Sequence, residues 1–194
     1  MAVVRITSKQ YTAEEYLDLE EAAAFRSEYF QGEIFAMAGG SYNHDIIAGN
    51  AYAALHQLGQ TRPCTAFTSN MKVLVEAHRL YTYPDAMLVC GKPQFQSGRT
   101  DTIVNPLLLV EVLSRSTESY DRGKKFDFYR SIPTFEHYIL IEQDQIHVEY
   151  YQRLADGRWI LIVLKDRYDA LRMPVIQFEI PLHNLYVKVD WLAA

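Results

Sequence analysis

A run of strand-forming apolar residues, Leu107 to Val112, stands near the centre of the chain and is interrupted only by Glu111. Such a run is typical of a strand that is covered on both faces. Burying an unpaired carboxylate is costly, so Glu111 must have a proton, a cation or a hydrogen-bonded partner. We therefore expect the fold, and any chemistry, to be organised around this strand.

Apolar positions elsewhere predict helices and strands on both sides of the central strand. Helices are indicated by apolar residues at helical spacing behind a capping residue, and strands by alternation or by short apolar runs. The predicted elements are, in order, a helix from Thr12 to about Phe25, a hairpin that turns at Gln31-Gly32, a helix from about Asn43 to Gly59 capped by Ser41, a half-buried strand from Met71 to Glu76, strands at Leu80 to Tyr83 and Asp85 to Val89, the central strand, a helix from about Asp121 to Ser131, strands at Glu136 to Ile141, Ile146 to Tyr151, Trp159 to Leu164 and Val175 to Ile180, and a short closing segment from Leu182 to Leu192.

The central strand, the following helix and the strand after it have the spacing of a βαβ unit, and such crossovers are right-handed. Together with the strand-rich segments on either side, this unit implies an α/β (mixed α+β) fold with a sheet flanked by helices. The chain has 194 residues and no repeat or linker, so we expect a single domain over 1–194. The polar segment Gly91 to Thr102 is the longest predicted loop and a candidate for a mobile, substrate-facing one.

The net charge of −5 argues against a protein that coats or packages nucleic acid by bulk electrostatics. Local charge can differ from net charge. Between Arg115 and Arg130, five basic residues outnumber three acidic ones. This segment is either a patch that faces a polyanion or a solvated helix face.

Two further features concern the compartment. Cys64 and Cys90 have no CxxC spacing and no histidine-rich neighbourhood, so we interpret them as reduced core thiols. The first ten residues contain no apolar stretch long enough for a signal peptide. Polar residues also interrupt Ile46 to Gln60, the least charged segment, so we expect no membrane span and a cytoplasmic protein.

The candidate chemistry lies at the ends of two strands. Asp85 opens one apolar run and Glu111 lies in the central strand, and paired carboxylates are the ligands that Mg²⁺ or Mn²⁺ prefers, with positions left for water and phosphate. A nearby lysine could hold the attacking water or offset charge that develops on phosphorus. Each residue also has a structural reading: Asp85 as a turn residue, Glu111 as the partner of a core Arg or Lys, and a lysine as a surface side chain.

The helix after the central strand supplies the lysine. Asp121, Lys125 and Tyr129 are spaced four residues apart and share one helix face, so neighbours on that face can position Lys125. Lys124 points about 100° away from Lys125, toward solvent or a backbone phosphate. We therefore select Lys125 as the catalytic lysine.

At these residues the chain resembles the Uma2 family of restriction endonuclease-like proteins, within the PD-(D/E)XK nuclease superfamily. The resemblance extends from Tyr11 to about Leu185, and its short motifs occur in the expected order. The matching segments are Glu28 to Glu33, His44, Pro84-Asp85, Leu109 to Ser114, Asp121 to Lys125 with Tyr129, and Pro133 to Tyr138.

The resemblance implies a restriction endonuclease-like core, with a mixed central sheet flanked by helices. It also implies a metal held by Asp85 and Glu111, with Mg²⁺ (or Mn²⁺) as the cofactor, and hydrolysis of phosphodiester bonds. We expect DNA as the nucleic-acid substrate, with RNA as the alternative. One departure is clear: the superfamily's acid-x-lysine motif would place lysine at position 113, which is Leu113 here. The family resemblance places the lysine at Lys125 instead.

Four more residues are second-tier candidates. Glu28 could supply a third acid near the metal, or be a surface glutamate beside the hairpin. His44 could act as a general base or phosphate donor, or help to close the helix end. Asp121 and Tyr129 are expected to orient Lys125. The remaining histidines show no ligand spacing and are interpreted as structural or surface residues: His56, His78, His137, His147 and His183.

Two other functions are consistent with the same residues. The first is a nuclease-fold module with weak or no catalysis that binds nucleic acid or a protein partner. The second is a structural or oligomeric protein in which Glu111 pairs with an arginine. A homodimer is expected by analogy, because compact nucleases often use two sites to cut both strands.

Overall fold

The computed structural model describes residues 4–5, 9–37 and 39–191. Most of the first ten residues, on which the absence of a signal peptide was predicted, lie outside the described residues, as do Ala38 and 192–194. Within the described residues, the chain forms two six-stranded sheets and a two-stranded sheet. No helix in this part of the chain has the length and apolar character needed to cross a bilayer.

The central sheet has the strand order β12-β11-β10-β9-β7-β4. β9 and β10 are parallel, whereas the other neighbours in the sheet are antiparallel. The sheet is therefore mixed, as expected. Its strands are β4 (Cys64–Thr68), β7 (Ala86–Cys90), β9 (Leu108–Leu113), β10 (His137–Glu142), β11 (Val148–Arg153) and β12 (Trp159–Leu164).

A second sheet, with the order β1-β3-β2-β6-β5-β8, lies N-terminal to the βαβ unit in sequence. Its two parallel neighbours are β5 and β8, and the other pairs are antiparallel. The strands are β1 (Val4–Arg5), β2 (Ser27–Phe30), β3 (Glu33–Ala36), β5 (Lys72–Val75), β6 (Leu80–Thr82) and β8 (Thr102–Ile103); β13 (Ala170–Met173) and β14 (Phe178–Pro181) form the small sheet.

Helices cover both faces of the central sheet. One face packs on α2 and on the C-terminal β13, β14 and α5, and the other packs on the helix that joins β9 to β10. That joining helix has three parts, α3, a π-helical turn at Asp121–Lys125, and α4. The helices are α1 (Ala13–Ala22), α2 (Tyr42–Gly59), α3 (Glu118–Tyr120), α4 (Phe126–Tyr129) and α5 (Leu182–Leu185).

The predicted turn and cap signals are confirmed. Thr12 and Glu15 form the reciprocal capping box, and Ser41 caps α2 by accepting from the His44 amide. Gln31 and Gly32 both have positive φ between β2 and β3, as a tight hairpin with the twist of its strands requires. The βαβ unit is also confirmed, and β9 is buried at every position.

Several details of the prediction were wrong. The segment predicted as a half-buried strand, β5, is buried at all four positions, because Lys72 lies inside with Asp101 2.5 Å from its ammonium. The strands β4 and β13 were not predicted. Cys64 and Cys90 stand opposite each other on β4 and β7, where they form a disulfide and are not free thiols.

Candidate active site

Asp85 and Glu111 lie beside each other on neighbouring strands of the central sheet, where β7 begins. The antiparallel register pairs Ala86 with Val110, and Asp85 and Glu111 are the residues next to this last pair on the two strands. Asp85 is fixed there twice: its amide donates to the Val110 carbonyl at 3.0 Å, and its Oδ2 accepts from the Val112 amide at 2.7 Å. The pairing of β7 with β9 thus brings together two acids that are 26 positions apart in the sequence.

Lys125 reaches the same place from the joining helix and is almost fully buried. Its Nζ lies 2.9 Å from Glu111 Oε1, 3.5 Å from Asp121 Oδ1 and 3.5 Å from Glu28 Oε1. An ammonium among three carboxylates is held by charge-assisted contacts on several sides. Lys125 therefore contacts three of the predicted acids directly. The fourth, Asp85, lies nearby and makes no direct contact with the lysine.

Neutral donors fix the acids around the lysine. The Tyr129 hydroxyl donates to Glu111 Oε1 at 2.8 Å, and the Thr82 hydroxyl donates to Glu28. Tyr129 was expected to orient Lys125, but its hydroxyl holds the acid instead, and Lys125 Nζ lies 5.9 Å from the Tyr129 ring. Tyr129 is thus a positioning residue for Glu111.

The π-helical turn sets the direction of Lys125. A π-turn inserts an extra residue into a helix and is frequent at functional sites. The Tyr138 hydroxyl donates to the Asp121 carbonyl at the start of this turn, at 3.1 Å. Asp121 and Lys125 both point inward, whereas Lys124 is exposed and lies over the Phe30 ring. The predicted assignment of Lys125 inside and Lys124 outside is confirmed as geometry.

His44 approaches Asp85 from the first turn of α2. Its Nε2 lies 3.4 Å from Asp85 Oδ2, and the two side chains are 14% and 12% exposed. Burial lowers the pKa of His44, but the hydrogen bond and negative charge of Asp85 outweigh it and raise that pKa above its usual value. An imidazole in this position can take up or release a proton beside the carboxylate.

These side chains line a cavity of about 40 Å³ between the central sheet and the joining helix. This volume exceeds the roughly 10–15 Å³ that one water needs. Its polar lining comprises Glu28, His44, Asp85, Glu111, Asp121 and Lys125. Tyr83, Thr117 and Tyr120 also line it and were not among the predicted site residues, because nothing in their sequence context distinguishes them from core residues.

Four carboxyl groups share the cavity with Lys125 and His44. Burial raises the pKa of Glu111 well above its usual range, and the charges of Asp121 and Asp85 act in the same direction while Lys125 opposes them. Burial likewise raises the pKa of Asp121, again against Lys125. The pKa of Lys125 is raised despite burial, by Glu111 first and then by Glu28. Lys125 is therefore charged, whereas burial favours the neutral forms of Glu111 and Asp121.

This set of oxygen donors is the observation that fits a divalent cation. Hard cations such as Mg²⁺ take oxygen ligands, usually one or two carboxylates together with water. Asp85 and Glu111 offer such oxygens on adjacent strands, and Glu28 and Asp121 lie within the same cavity. The residues present therefore fit a divalent metal.

A second acidic cluster lies on the same sheet. Glu142, His147 and Glu149 place their ligand atoms within 4.8 Å of one another. The Arg122 guanidinium lies among them, 2.5 Å from Glu142 and 2.9 Å from Glu149, and also contacts Glu118. A cation thus already satisfies these acids, and His147, interpreted from sequence as an ordinary histidine, belongs to this ion network.

The segment with surplus positive charge does not form a basic patch. Arg122 is neutralised as described, Arg115 lies 3.3 Å from Asp144, and Arg130 pairs with Asp127. Lys125 is buried and Arg122 is only partly exposed, so the segment is not a uniformly solvated helix face either. The loop predicted to face a substrate is held by ion pairs between Asp101 and both Arg99 and Lys72, and none of its residues lines the cavity.

The mixed central sheet with helices on both faces has the architecture expected of a restriction endonuclease-like core. The chain belongs to the Uma2 family. The family model, described as a putative restriction endonuclease, matches residues 13–183.

Two proteins of Synechocystis are similar to this chain, and both are named as uncharacterised. One, sll1609, is 39% identical over 162 residues, which cover 84% of this chain and 92% of that protein. The other, slr1290, is 36% identical over 149 residues, 77% of each chain. A crystal structure described as a putative nuclease belonging to DUF820, from Anabaena variabilis, superimposes with a TM-score of 0.73 over 91% of this chain and 97% of that chain. At 17% sequence identity, this likeness shows a shared fold.

Proposed function

We propose that this protein is a divalent-metal-dependent endonuclease that hydrolyses phosphodiester bonds of DNA, with 1–194 as one nuclease domain. The observation that carries the proposal is that three carboxylates surround one buried lysine, with a fourth, Asp85, in the same cavity. Burying several carboxylates together costs folding free energy unless cations compensate their charge. Clusters of this kind are frequent at functional sites. The family membership supports a nuclease and leaves the substrate to be tested.

The site residues have separate roles in this proposal. Asp85 and Glu111 hold Mg²⁺ (or Mn²⁺), which when bound polarises a phosphoryl oxygen and lowers the pKa of water. Lys125 holds the attacking water or offsets negative charge that develops on the phosphoryl group. Glu28 and Asp121 keep Lys125 charged through the contacts described above. Tyr129 holds Glu111 in one orientation.

His44 is proposed to act on the proton. Its Nε2 faces Asp85, so it can accept a proton from water at the cavity mouth or return one to the leaving oxygen. Asp85 raises the pKa of His44 against the effect of burial and so favours its protonated form, which suits donation to the leaving group.

A groove of about 650 Å³ adjoins the cavity and shares His44 and Asp85 with it. Phe25 and Tyr42 lie along this groove with 59% and 60% of their surface exposed. Exposed aromatic rings offer faces on which nucleic-acid bases stack without sequence preference. This groove supports a nucleic-acid strand as the substrate, with its backbone directed to Asp85.

The second candidate is a nuclease-fold module that binds nucleic acid or a protein partner without turnover. The observation that favours it is the direct contact of Lys125 with Glu111 at 2.9 Å, because an ammonium can replace the metal as the partner of that carboxylate. Absence of metal binding in folded protein would select this module.

The deciding experiment titrates Mn²⁺ by calorimetry into the wild-type chain, Asp85→Asn and Glu111→Gln. His147→Gln is the matched control, because it removes a ligand from the other acidic cluster. We expect binding in the wild type and in His147→Gln, loss in the other two variants, and Mg²⁺-dependent nicking of supercoiled plasmid DNA with the same pattern. Binding that disappears only in His147→Gln would contradict the proposal.

The proposal also places the protein in the cytoplasm as a homodimer, so that two sites can act on the two strands of a duplex. The Cys64–Cys90 disulfide is the observation against a cytoplasmic location, because cytosolic reductants keep most thiols reduced. Counting free thiols in protein quenched with an alkylating agent during cell lysis tests the location. Two reactive thiols per chain would support the cytoplasm, and none, as the disulfide predicts, would contradict it.

A further inference from the structure

The strand β12 has an unusual combination of position and composition. It is an edge strand of the central sheet, and its sequence from Trp159 to Leu164 contains only apolar residues. Ile160, Leu161, Ile162 and Val163 are 38–48% exposed, so side chains on both faces of the strand meet solvent. In the described residues, β11 is the strand paired with it, and no strand pairs with its outer side.

An apolar edge of this kind needs a partner. Edge strands that stay free in solution are usually blunted by charges, prolines, bulges or short length, and β12 has none of these between its ends. A six-residue apolar strand whose outer backbone N–H and C=O groups are unpaired is otherwise prone to aggregate by strand pairing. Charged residues flank it instead, with Asp156 and Arg158 before it and Lys165 and Asp166 after it.

We propose that β12 pairs antiparallel with β12 of a second copy of this chain, across a two-fold axis that passes through Ile162. The two central sheets then form one continuous sheet. This inference gives the homodimer proposed above its contact surface, and it stands or falls separately from nuclease activity. Its support comes from the direction of the backbone groups and from the flanking charges.

The backbone restricts the possible registers. The Leu154 amide donates to the Arg158 carbonyl at 2.7 Å, so Arg158 directs its backbone groups toward β11. Alternate residues of a strand direct these groups to opposite sides. The groups of Trp159, Leu161 and Val163 therefore point outward. In a two-fold pair, outward residues must face outward residues, so the axis passes through a residue position and not between two residues.

The flanking charges select between the two central registers. An axis at Ile162 places Arg158 opposite Asp166 of the second copy, and Trp159 opposite Lys165 of that copy. Opposite charges on facing positions are favourable. An axis at Leu161 places Arg158 opposite Leu164 and so lacks this charge pair; within its own chain, Arg158 also contacts Asp156 at 2.7 Å. The Ile162 register therefore satisfies both the backbone and the charges.

Leu161→Lys tests the surface, because Leu161 is 48% exposed and its backbone groups point outward. The matched control is Leu19→Lys, a leucine that is 50% exposed on α1. Light scattering and sedimentation equilibrium should give a dimer mass for the wild type and for Leu19→Lys. Leu161→Lys should weaken the dimer by at least about tenfold in Kd. A monomeric wild type, an open-ended oligomer, or an unaffected Leu161→Lys dimer would overturn the proposal.

Cysteine substitutions test the register. Ile162→Cys should form an intermolecular disulfide on mild oxidation, because the axis brings the two side chains at 162 together across a non-hydrogen-bonded pair. Leu161→Cys should cross-link much more slowly, and Cys64 and Cys90 are already paired with each other. Faster cross-linking at 161 than at 162 would refute this register. Plasmid nicking by a monomeric Leu161→Lys variant would leave the nuclease proposal intact, so the two proposals can fail independently.

Discussion

Lys125 Nζ lies 2.9 Å from Glu111 Oε1, and the two side chains are only 6% and 7% exposed. The lysine comes from the helix after the strand, not from the strand itself. Position 113, where an acid-x-lysine motif would place it, is Leu113, which is buried in the hydrophobic core. The lysine that pairs with Glu111 comes instead from the π-helical turn, which follows the strand in sequence and packs on it.

Removing this ammonium should destabilise the fold strongly. Lys125→Met leaves Glu111, Glu28 and Asp121 without their shared cation, and breaking a buried ion pair by removing one partner costs about 3–5 kcal/mol. Urea unfolding at pH 7 should show this loss, and nicking activity should disappear even in the folded fraction. The fold loses stability because the remaining carboxylates repel one another in a medium of low dielectric constant.

Lys124→Met is the matched control for Lys125→Met. Lys124 is the adjacent residue on the same helix, and its exposed ammonium lies 4.8 Å from the Phe30 ring. We expect its free energy of unfolding to change by no more than about 1 kcal/mol. Equal losses in the two variants would show that the buried contacts of Lys125 do not stabilise the protein.

The His44 pKa should depend on Asp85. In the wild type this pKa lies above 6.5, because Asp85 outweighs burial. In Asp85→Asn only burial and weaker charges remain, so the pKa should fall below 6.5. An NMR titration of the imidazole signals measures both values. His137 is the internal control: burial lowers its pKa to about 4, and Asp85 does not contribute to that shift.

The sign of the stability effect follows from the raised pKa. A folded-state pKa above the unfolded value means that the His44–Asp85 pair stabilises the protein fully below pH 6.5. This contribution is lost as the pH rises through the folded pKa. The difference in unfolding free energy between the wild type and His44→Gln should therefore shrink from pH 6 to pH 9. A difference that grows with pH would rule out a charged pair.

Much of this site could be predicted because each acid has a local signal. Glu111 interrupts an apolar strand, Asp85 opens another, and Asp121, Lys125 and Tyr129 recur at helical spacing. These signals predict two strands, one helix and the face of that helix that carries the polar residues. They also predicted correctly that Lys125 points inward.

Other features depend on contacts between distant segments and have no local signal. The Tyr129 hydroxyl meets Glu111 only because the helix crosses β9, and Arg122 gathers Glu118, Glu142 and Glu149 from three elements. The strand β4 has mixed burial and little periodicity, so its pairing with β7 was not predicted. The Cys64–Cys90 bond depends on that pairing.

The disulfide should stabilise the isolated protein. It joins β4 to β7 across a sequence separation of 26, and closing a loop of this length in the unfolded chain contributes about 3 kcal/mol. Adding reductant should lower the free energy of unfolding by that amount in the wild type. A double variant, Cys64→Ser with Cys90→Ser, should match the reduced wild type and should not respond to reductant. A wild type insensitive to reductant would show that the bond is absent or contributes little.

Stability should fall with rising pH in the absence of metal, and Mn²⁺ should offset the fall. Burial raises the pKa of Glu111 above its usual 4.5. Its contribution is therefore fully present below pH 4.5 and is lost as the pH rises through the folded value. A divalent cation that binds only the folded state restores stability, by about 2.7 kcal/mol at a concentration 100 times its Kd. Urea unfolding from pH 5 to pH 9, with and without Mn²⁺, measures both effects.

The Glu111→Gln variant tests whether the pH dependence of stability and the Mn²⁺ effect arise from Glu111. The neutral amide keeps the size of the side chain and removes both the proton-binding group and a metal ligand. We expect its stability to vary less with pH than that of the wild type, and its unfolding to be unaffected by Mn²⁺. Glu118→Gln is the control, since Glu118 lies on the same helix as Lys125 and contacts Arg122 outside the cavity. An Mn²⁺ effect that persists in Glu111→Gln and disappears in Glu118→Gln would move the metal to the Arg122 network.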